Sequence, residues 1–182
     1  MFGVLAVIAA VVAIAVAVVV ILASAKPDTF SVQRMAVVRA PAESIFPLID
    51  NFQQWANWSP WENKDPAMKR TYGGAQSGKG ATYAWDGNRN VGSGRMEILE
   101  ALPPTKIVIK LDFFKPFEGH NTAEFTFVPE RDASATNITW VMHGPSSFMS
   151  KVIQVFMNLD RMIGKDFETG LANLKRLTEK NT

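Results

Sequence analysis

The sequence predicts an α+β fold: a hydrophobic N-terminal helix, a curved antiparallel sheet of seven strands with two short helices after the first strand, and a long C-terminal helix. Three observations predict it. An uncharged apolar run opens the chain, segments with a hydrophobic period of two then follow one another across short turns, and the C-terminal residues show a helical period. Short connections indicate antiparallel hairpins, and the apolar helix is the available cover for the buried face of such a sheet.

The apolar run extends from Phe2 to Ala25 and contains no charged residue. About 20 helical residues cross a hydrocarbon core that is about 30 Å thick. Residues 1–25 are therefore predicted to be a transmembrane anchor, which contacts the membrane through residues 2–25, and residues 28–182 are predicted to be one soluble domain. The alternative is a cleaved secretory signal, because Ala23-Ser24-Ala25 has the small-x-small form of a cleavage site.

The orientation of the anchor follows from the basic residues beside it. None precedes the apolar run, whereas Lys26, Arg34 and Arg39 follow it. The positive-inside bias then predicts a single-pass protein with its domain in the cytoplasm. A cleaved signal would instead make the domain secreted or periplasmic.

The soluble part begins with a predicted strand at Phe30–Arg39, which is rich in β-forming residues. A helix is predicted at Ala42–Asp50, and Pro47 restricts it to a short or kinked one. A second short helix is predicted from Phe52 to about Trp58.

Six further strands follow, each with alternating apolar residues and each bounded by a turn signal. The predicted strands are Met68–Tyr72, Ala81–Asp86, Val91–Ala101, Ile107–Phe113, Thr122–Val128 and Thr136–His143. The turn signals are Gly73-Gly74, Asp86-Gly87-Asn88, Pro103-Pro104, Lys115-Pro116 and Arg131-Asp132.

One amphipathic helix is predicted over Phe148–Glu179, with its apolar residues on one stripe. Gly164 and Gly170 lie inside it and each costs about 1 kcal/mol against Ala. They therefore indicate close packing or a bend.

Composition excludes several classes of function. The net charge is +2 without a dense Lys/Arg run, so no nucleic-acid partner is expected. The absence of cysteine excludes disulfides and thiolate chemistry, and the two histidines lack ligand-spaced partners, so no metal and no cofactor is expected. Gly73–Gly80 matches GxxxxGK, but Gly80 replaces the Ser or Thr of a P-loop and a strand follows, so the segment is interpreted as a hairpin.

The element order and three segments resemble a known superfamily. The segments are RAPAESIFPLIDNFQQWANWSPW (residues 39–61), GSGRMEILEALPPTKIVIKLDF and GLANLKRLTE. Together they resemble the START-like, or SRPBCC, superfamily of helix-grip proteins, which includes polyketide cyclases and lipid-transfer domains, over residues 30–179. The resemblance implies an apolar cavity between the sheet and the C-terminal helix. It implies no catalytic residue, since no catalytic motif is shared across the superfamily.

The candidate ligand-binding residues are large side chains on the faces expected to point into that cavity, together with one cation. They are Trp58, Trp61, Tyr83, Trp85, Arg95, Phe113, Phe125, Trp140, Met142 and Phe156. Ordinary core packing is the alternative for the apolar ones, and a solvated Arg/Glu face is the alternative for Arg95 beside Glu97.

Three functions remain open. The first is membrane-anchored binding of a hydrophobic small molecule or lipid. The second is a cyclase/aromatase-like enzyme steered by polar groups such as Arg95, Glu97 or His143, although no nucleophile–base pair stands out. The third is an interaction or stress-response module without a ligand. The volume of the space beneath the C-terminal helix discriminates among them.

Overall fold

A computed structural model describes residues 2–131 and 134–180. The first element, α1 (Phe2–Ser24), projects from the rest of the protein, and nearly all of its side chains are exposed. Its segment Gly3–Ser24 is long and apolar enough to cross a membrane, a property that signal sequences share.

Seven strands form one antiparallel sheet in the order β1-β7-β6-β5-β4-β3-β2. The strands are β1 (Thr29–Val38), β2 (Lys69–Gly74), β3 (Ala81–Asp86), β4 (Ser93–Leu102), β5 (Lys106–Lys115), β6 (Gly119–Pro129) and β7 (Thr136–Pro145). β1 lies at one edge because it closes onto β7, while β2 to β7 pair as successive hairpins. The predicted α+β helix-grip architecture is confirmed.

The short helices lie between β1 and β2. They are α2 (Ala42–Asp50), a 3₁₀ turn (Phe52–Asn57) and α3 (Pro60–Lys64), one segment more than the two predicted. The indole N–H of Trp55 donates to the Ile49 carbonyl at 2.9 Å, which folds the 3₁₀ turn back onto α2.

The predicted C-terminal helix is broken, which corrects its extent. It consists of α4 (Phe148–Phe156) and α5 (Leu159–Glu179), separated by Met157 and Asn158. Met157 is extended, with φ −132° and ψ 140°, and the Asn158 side chain accepts the Arg161 backbone N–H at 2.9 Å. Asparagine favours the N-cap position, so a new helix starts at this point.

Helix α5 packs on β1 and on Trp140 of β7, and these contacts account for both of its glycines. The Arg34 guanidinium crosses Gly164 and pairs with Asp160 at 3.0 Å and Glu168 at 2.7 Å. A Cβ at Gly164 would lie 1.9 Å from Arg34, and one at Gly170 would lie 2.9 Å from the Trp140 ring. Close packing, one of the two predicted explanations, is confirmed.

Gly73–Gly80 forms the β2–β3 hairpin, and β3 rather than a helix follows it. Gly74 has φ +70°, and a Cβ there would lie 2.0 Å from the Gly80 carbonyl oxygen. The interpretation as a hairpin is therefore confirmed. Of the predicted turn Arg131-Asp132, Asp132 lies outside the described residues.

Candidate functional site

The centre of the space between the sheet and α5 is filled by aromatic rings. Trp140 stacks on Phe167 with ring centroids 4.0 Å apart and planes 6° from parallel. Trp58 meets Trp140 edge-on at 5.6 Å, and Phe125 lies 4.7 Å from Trp140 on the other side. All four side chains are at most 3% exposed. Three of the candidate residues, Trp58, Phe125 and Trp140, are thus placed in dense core.

Hydrogen bonds hold part of this cluster in place. The Trp58 indole N–H donates to the Leu48 carbonyl at 2.8 Å. The Asn173 amide on α5 donates to the Trp58 carbonyl at 2.9 Å, which ties the helix to the 3₁₀ turn. Trp140 Nε1 is buried without a hydrogen-bond partner among residues 2–131 and 134–180. Such an unpaired donor costs about 1–3 kcal/mol.

The concave face of the sheet is less densely covered near the β3–β4 connection, where β3 ends and β4 begins. Trp85 and Phe113 point inward there but are only half-buried, and their rings meet edge-on at 5.7 Å. A Cβ at Gly94 would lie 2.4 Å from the Trp85 ring, so glycine is what allows the indole to cross β4. Trp61 is likewise half-buried and meets Trp140 at 5.8 Å, whereas Met142 is buried.

Tyr83 belongs to a polar cluster that the sequence reasoning missed. Its hydroxyl donates to Glu62 Oε1 at 2.8 Å, and Arg70 Nε donates to Glu62 Oε2 at 2.6 Å. Burial, followed by the Glu62 carboxylate, raises the pKa of Tyr83 well above its ordinary value, so the hydroxyl stays protonated. Glu62 is 8% exposed. Its signal in the sequence is weak, since Glu62 is a single acidic residue in a helix of five residues.

Arg95 lies on the outer face of the sheet, which corrects its assignment to a pocket. The alternation that buries Met96 and Ile98 turns Arg95 and Glu97 outward, where their charged groups pair loosely at 3.7 Å. The solvated Arg/Glu face is the alternative that the structure confirms.

His143 also lies on the outer face, where its Nε2 is 3.1 Å from Glu124. The three polar residues named for an enzyme are therefore all remote from the concave face.

A groove of about 540 Å³ opens between the start of β1 and the break that separates α4 from α5. Its apolar wall comes from Pro27, Phe30, Val32, Val155, Phe156, Met157 and Leu159. Its polar groups come from Lys26, Thr29, Ser31, Gln154, Asn158 and Asp160. Phe156, the last candidate residue, lines this groove with 71% of its surface exposed instead of lying beneath the helix.

Ion pairs lie beside and at the edge of the groove. Lys151 on α4 pairs with Asp28 at 2.5 Å, and this contact lowers the pKa of Asp28. On the other wall, the hydrogen bond from Arg34 lowers the pKa of Asp160. Lys26 is the cation among the groove residues, and no ion pair is described for it.

The β2–β3 hairpin borders a second, smaller depression. This depression of about 240 Å³ is lined by residues such as Phe52, Tyr72 and Gly74. Within the described ranges, no group of three or more His, Asp or Glu side chains is placed to hold a metal ion.

A family model described as "Polyketide cyclase / dehydrase and lipid transport" matches residues 29–179, which span β1 to the end of α5. The chain belongs to this family. No curated protein matches it by sequence.

Solved structures share the fold of this polyketide cyclase/dehydrase and lipid transport domain. A START superfamily protein from Mycobacterium smegmatis has a TM-score of 0.54 at 17% identity, over 84% of this chain and 99% of its own. A protein from Nitrosospira multiformis has a TM-score of 0.60 at 17% identity, over 84% and 100%. The di-domain ARO/CYC BexL from the BE-7585A biosynthetic pathway has a TM-score of 0.62 at 15% identity, over 88% of this chain and 53% of its own. At these identities the likeness concerns the fold.

Proposed function

We propose that the protein is anchored in a membrane by α1 and binds a hydrophobic small molecule or lipid in the groove between β1 and the α4–α5 break. The observation that carries the proposal is the groove itself. Its volume of about 540 Å³ lies within the range of about 300–1,000 Å³ typical of small-molecule sites. The family, whose description includes lipid transport, supports a ligand of this kind.

The chemistry of the groove favours an amphipathic ligand. Phe30, Val155 and Leu159 present apolar surface, which favours a hydrocarbon or aromatic body. Lys26, Gln154 and other polar groups line the same space and suit a polar or anionic head group. The densely packed centre around Trp140 supports placing the ligand here instead of deep beneath α5.

The side of the membrane on which the domain lies is also part of the proposal. Lys26, Arg34 and Arg39 support a cytoplasmic domain beneath an uncleaved α1. The intact mass of the protein purified from membranes tests whether α1 is retained. A mass lacking the first 25 residues would show that α1 is a cleaved signal.

The ligand proposal is tested by native mass spectrometry of the full chain extracted in mild detergent and then exchanged into a volatile detergent. We expect a single hydrophobic molecule to co-purify at one per chain. Val155→Trp, which fills the groove, should abolish retention. The matched control is Val128→Trp, because Val128 is 60% exposed at the far end of β6 and should tolerate the same change.

Two outcomes contradict the proposal. Equal retention by the two variants would indicate lipid bound loosely around α1 instead of in the groove. An empty wild-type protein, which also fails to bind added palmitate or phosphatidylglycerol, would favour an interaction module without a ligand.

A cyclase-like enzyme is the second candidate, and the Glu62–Tyr83 pair is the observation that favours it. This pair places a carboxylate and a protonated phenol on the concave face, beside the half-buried Trp85. Cyclisation with dehydration releases one water, so an enzyme lacking its acid should accumulate a precursor heavier by one water. Comparing the masses of ligands that co-purify with wild type and with Tyr83→Phe tests this, and identical masses would argue against catalysis.

A further inference from the structure

The depth at which α4 lies follows from its contact with α1. With a rise of 1.5 Å per residue, the 23 residues of α1 span roughly 34 Å, about the thickness of a hydrocarbon core. Helix α4 contacts α1. Along α1, Val19 is half-buried and Ala23 is fully buried, whereas the residues between Gly3 and Val18 are exposed. Because only the last turns are covered, α4 packs at the level where a spanning α1 would leave the hydrocarbon.

The surface of α4 is apolar and largely exposed. None of its residues is fully buried, even though six of the nine residues of FMSKVIQVF are apolar. Phe148, Met149 and Phe156 are 54%, 50% and 71% exposed, and the adjoining Met157 is 50% exposed. Its single cation, Lys151, forms an ion pair with Asp28. A soluble surface rarely concentrates large apolar side chains in this way.

A segment distant from α4 in the chain also exposes aromatic side chains. Phe114 near the end of β5 and Phe117 in the β5–β6 turn (residues 116–118) are 55% and 53% exposed. Phe113 pairs with Gly119, Thr122 with His143, and Thr29 with Pro145. These pairings place the β5–β6 turn at the end of the sheet where β1 begins and β7 runs into α4. The chain therefore presents exposed aromatic groups from two separate segments at the end that carries α1.

From these three observations we propose that α4 and the β5–β6 turn insert into the head-group region of the bilayer that α1 spans, so that the groove opens directly onto the lipid. The occupant of this apolar surface is the bilayer, because the surface is continuous with the anchor. The inference rests on the anchoring part of the proposed function and adds that the domain lies on the membrane instead of hanging from a flexible tether. A ligand would then exchange with the bilayer without crossing water.

The natural absence of cysteine makes the test simple. Single substitutions Phe156→Cys, Phe117→Cys, Val11→Cys and Val128→Cys are labelled with the fluorophore NBD in the full chain, which is reconstituted into phosphatidylcholine vesicles. Quenching is measured with nitroxide-labelled lipid and with aqueous iodide. All four positions are exposed, so the substitutions should leave the fold intact, as tryptophan fluorescence can verify.

We expect labels at Phe156 and Phe117 to be quenched severalfold more by nitroxide lipid than the label at Val128, which iodide should quench instead. The Val11 label separates the two proposals. If Val11 is not quenched by lipid, the anchoring itself fails. If Val11 is quenched while Phe156 and Phe117 behave like Val128, only the docking is overturned. Labels shielded from both quenchers would indicate a contact between protein copies and would also overturn it.

Discussion

The buried ion pair between Glu62 and Arg70 allows a sharp test of how the concave face is stabilised. Glu62 is 8% exposed, lies 2.6 Å from Arg70 and accepts the Tyr83 hydroxyl at 2.8 Å. In Glu62→Gln the amide oxygen still accepts from Tyr83. The charge that compensates the guanidinium is lost, however.

The magnitude follows from what Arg70 retains. Removing one partner of a fully buried pair costs about 3–5 kcal/mol, and a hydrogen bond to a charged group contributes about 1.5–3 kcal/mol. The Arg70 side chain is 23% exposed and also donates to the Pro66 and Met68 carbonyls. We therefore expect Glu62→Gln to lower the free energy of unfolding by about 2 kcal/mol, at the low end of these ranges.

The matched control is Glu97→Gln on the outer face. Its pair with Arg95 is 3.7 Å long, and both side chains are at least 40% exposed. Exposed pairs of this kind contribute about 0–1 kcal/mol. Urea unfolding of the full chain in detergent, followed by the fluorescence of its tryptophans, measures both variants. If Glu62→Gln lay within about 0.5 kcal/mol of Glu97→Gln, the assigned role of the buried pair would be refuted.

Three further predictions concern α5 and the outer face. Phe167→Ala should cost about 3–5 kcal/mol in urea unfolding, because it leaves a cavity against Trp140; a cost below about 1 kcal/mol would contradict the observed packing. Gly170→Val should lower the melting temperature measured by circular dichroism even though it raises helix propensity, since a Cβ lies 2.9 Å from the Trp140 ring. The hydrogen bond from His143 lowers the pKa of Glu124 in the folded protein below its ordinary value of 4.5. The ionised Glu124 therefore stabilises the fold above that ordinary pKa, and this stabilisation is lost as the pH falls through the lowered pKa of the folded state. Glu124→Gln should therefore flatten the decline in stability between about pH 5 and 3, and an unchanged acid limb would contradict this.

The candidate site was predictable in part. Tyr83, Phe125 and Trp140 lie on the inner face, as their place in the apolar parity of each strand predicts. Side chains of one parity share a face of a strand, and the apolar parity is the one that is buried. Alternation alone allowed Arg95 to face either inward or outward. The burial of Met96 in the structure shows that Arg95 faces outward. The role of Glu62 was missed because its partners, Arg70 on β2 and Tyr83 on β3, come close to it only when these strands fold against α3.

The helix break shows how a local signal can be hidden. Asn158 is a favourable N-cap and Asp160 lies in the first turn of α5, both of which are readable in the sequence. The apolar stripe nevertheless continues through the break, so periodicity alone predicted one helix. The groove at this point has no separate sequence signature, because it arises from α4 turning toward α1 while α5 stays on β1.

The amino-acid sequence by itself determined the order and type of the elements, the hydrophobic helix and the family to which the domain belongs. These depend on interactions between near neighbours: the period of apolar residues, turn chemistry and the length of an uncharged run. Only the tertiary structure decided that the centre beneath α5 is filled and that free volume lies beside β1. Ring packing such as that of Trp140 on Phe167 depends on the relative placement of residues distant in the chain to within fractions of an ångström, and no local pattern encodes that placement.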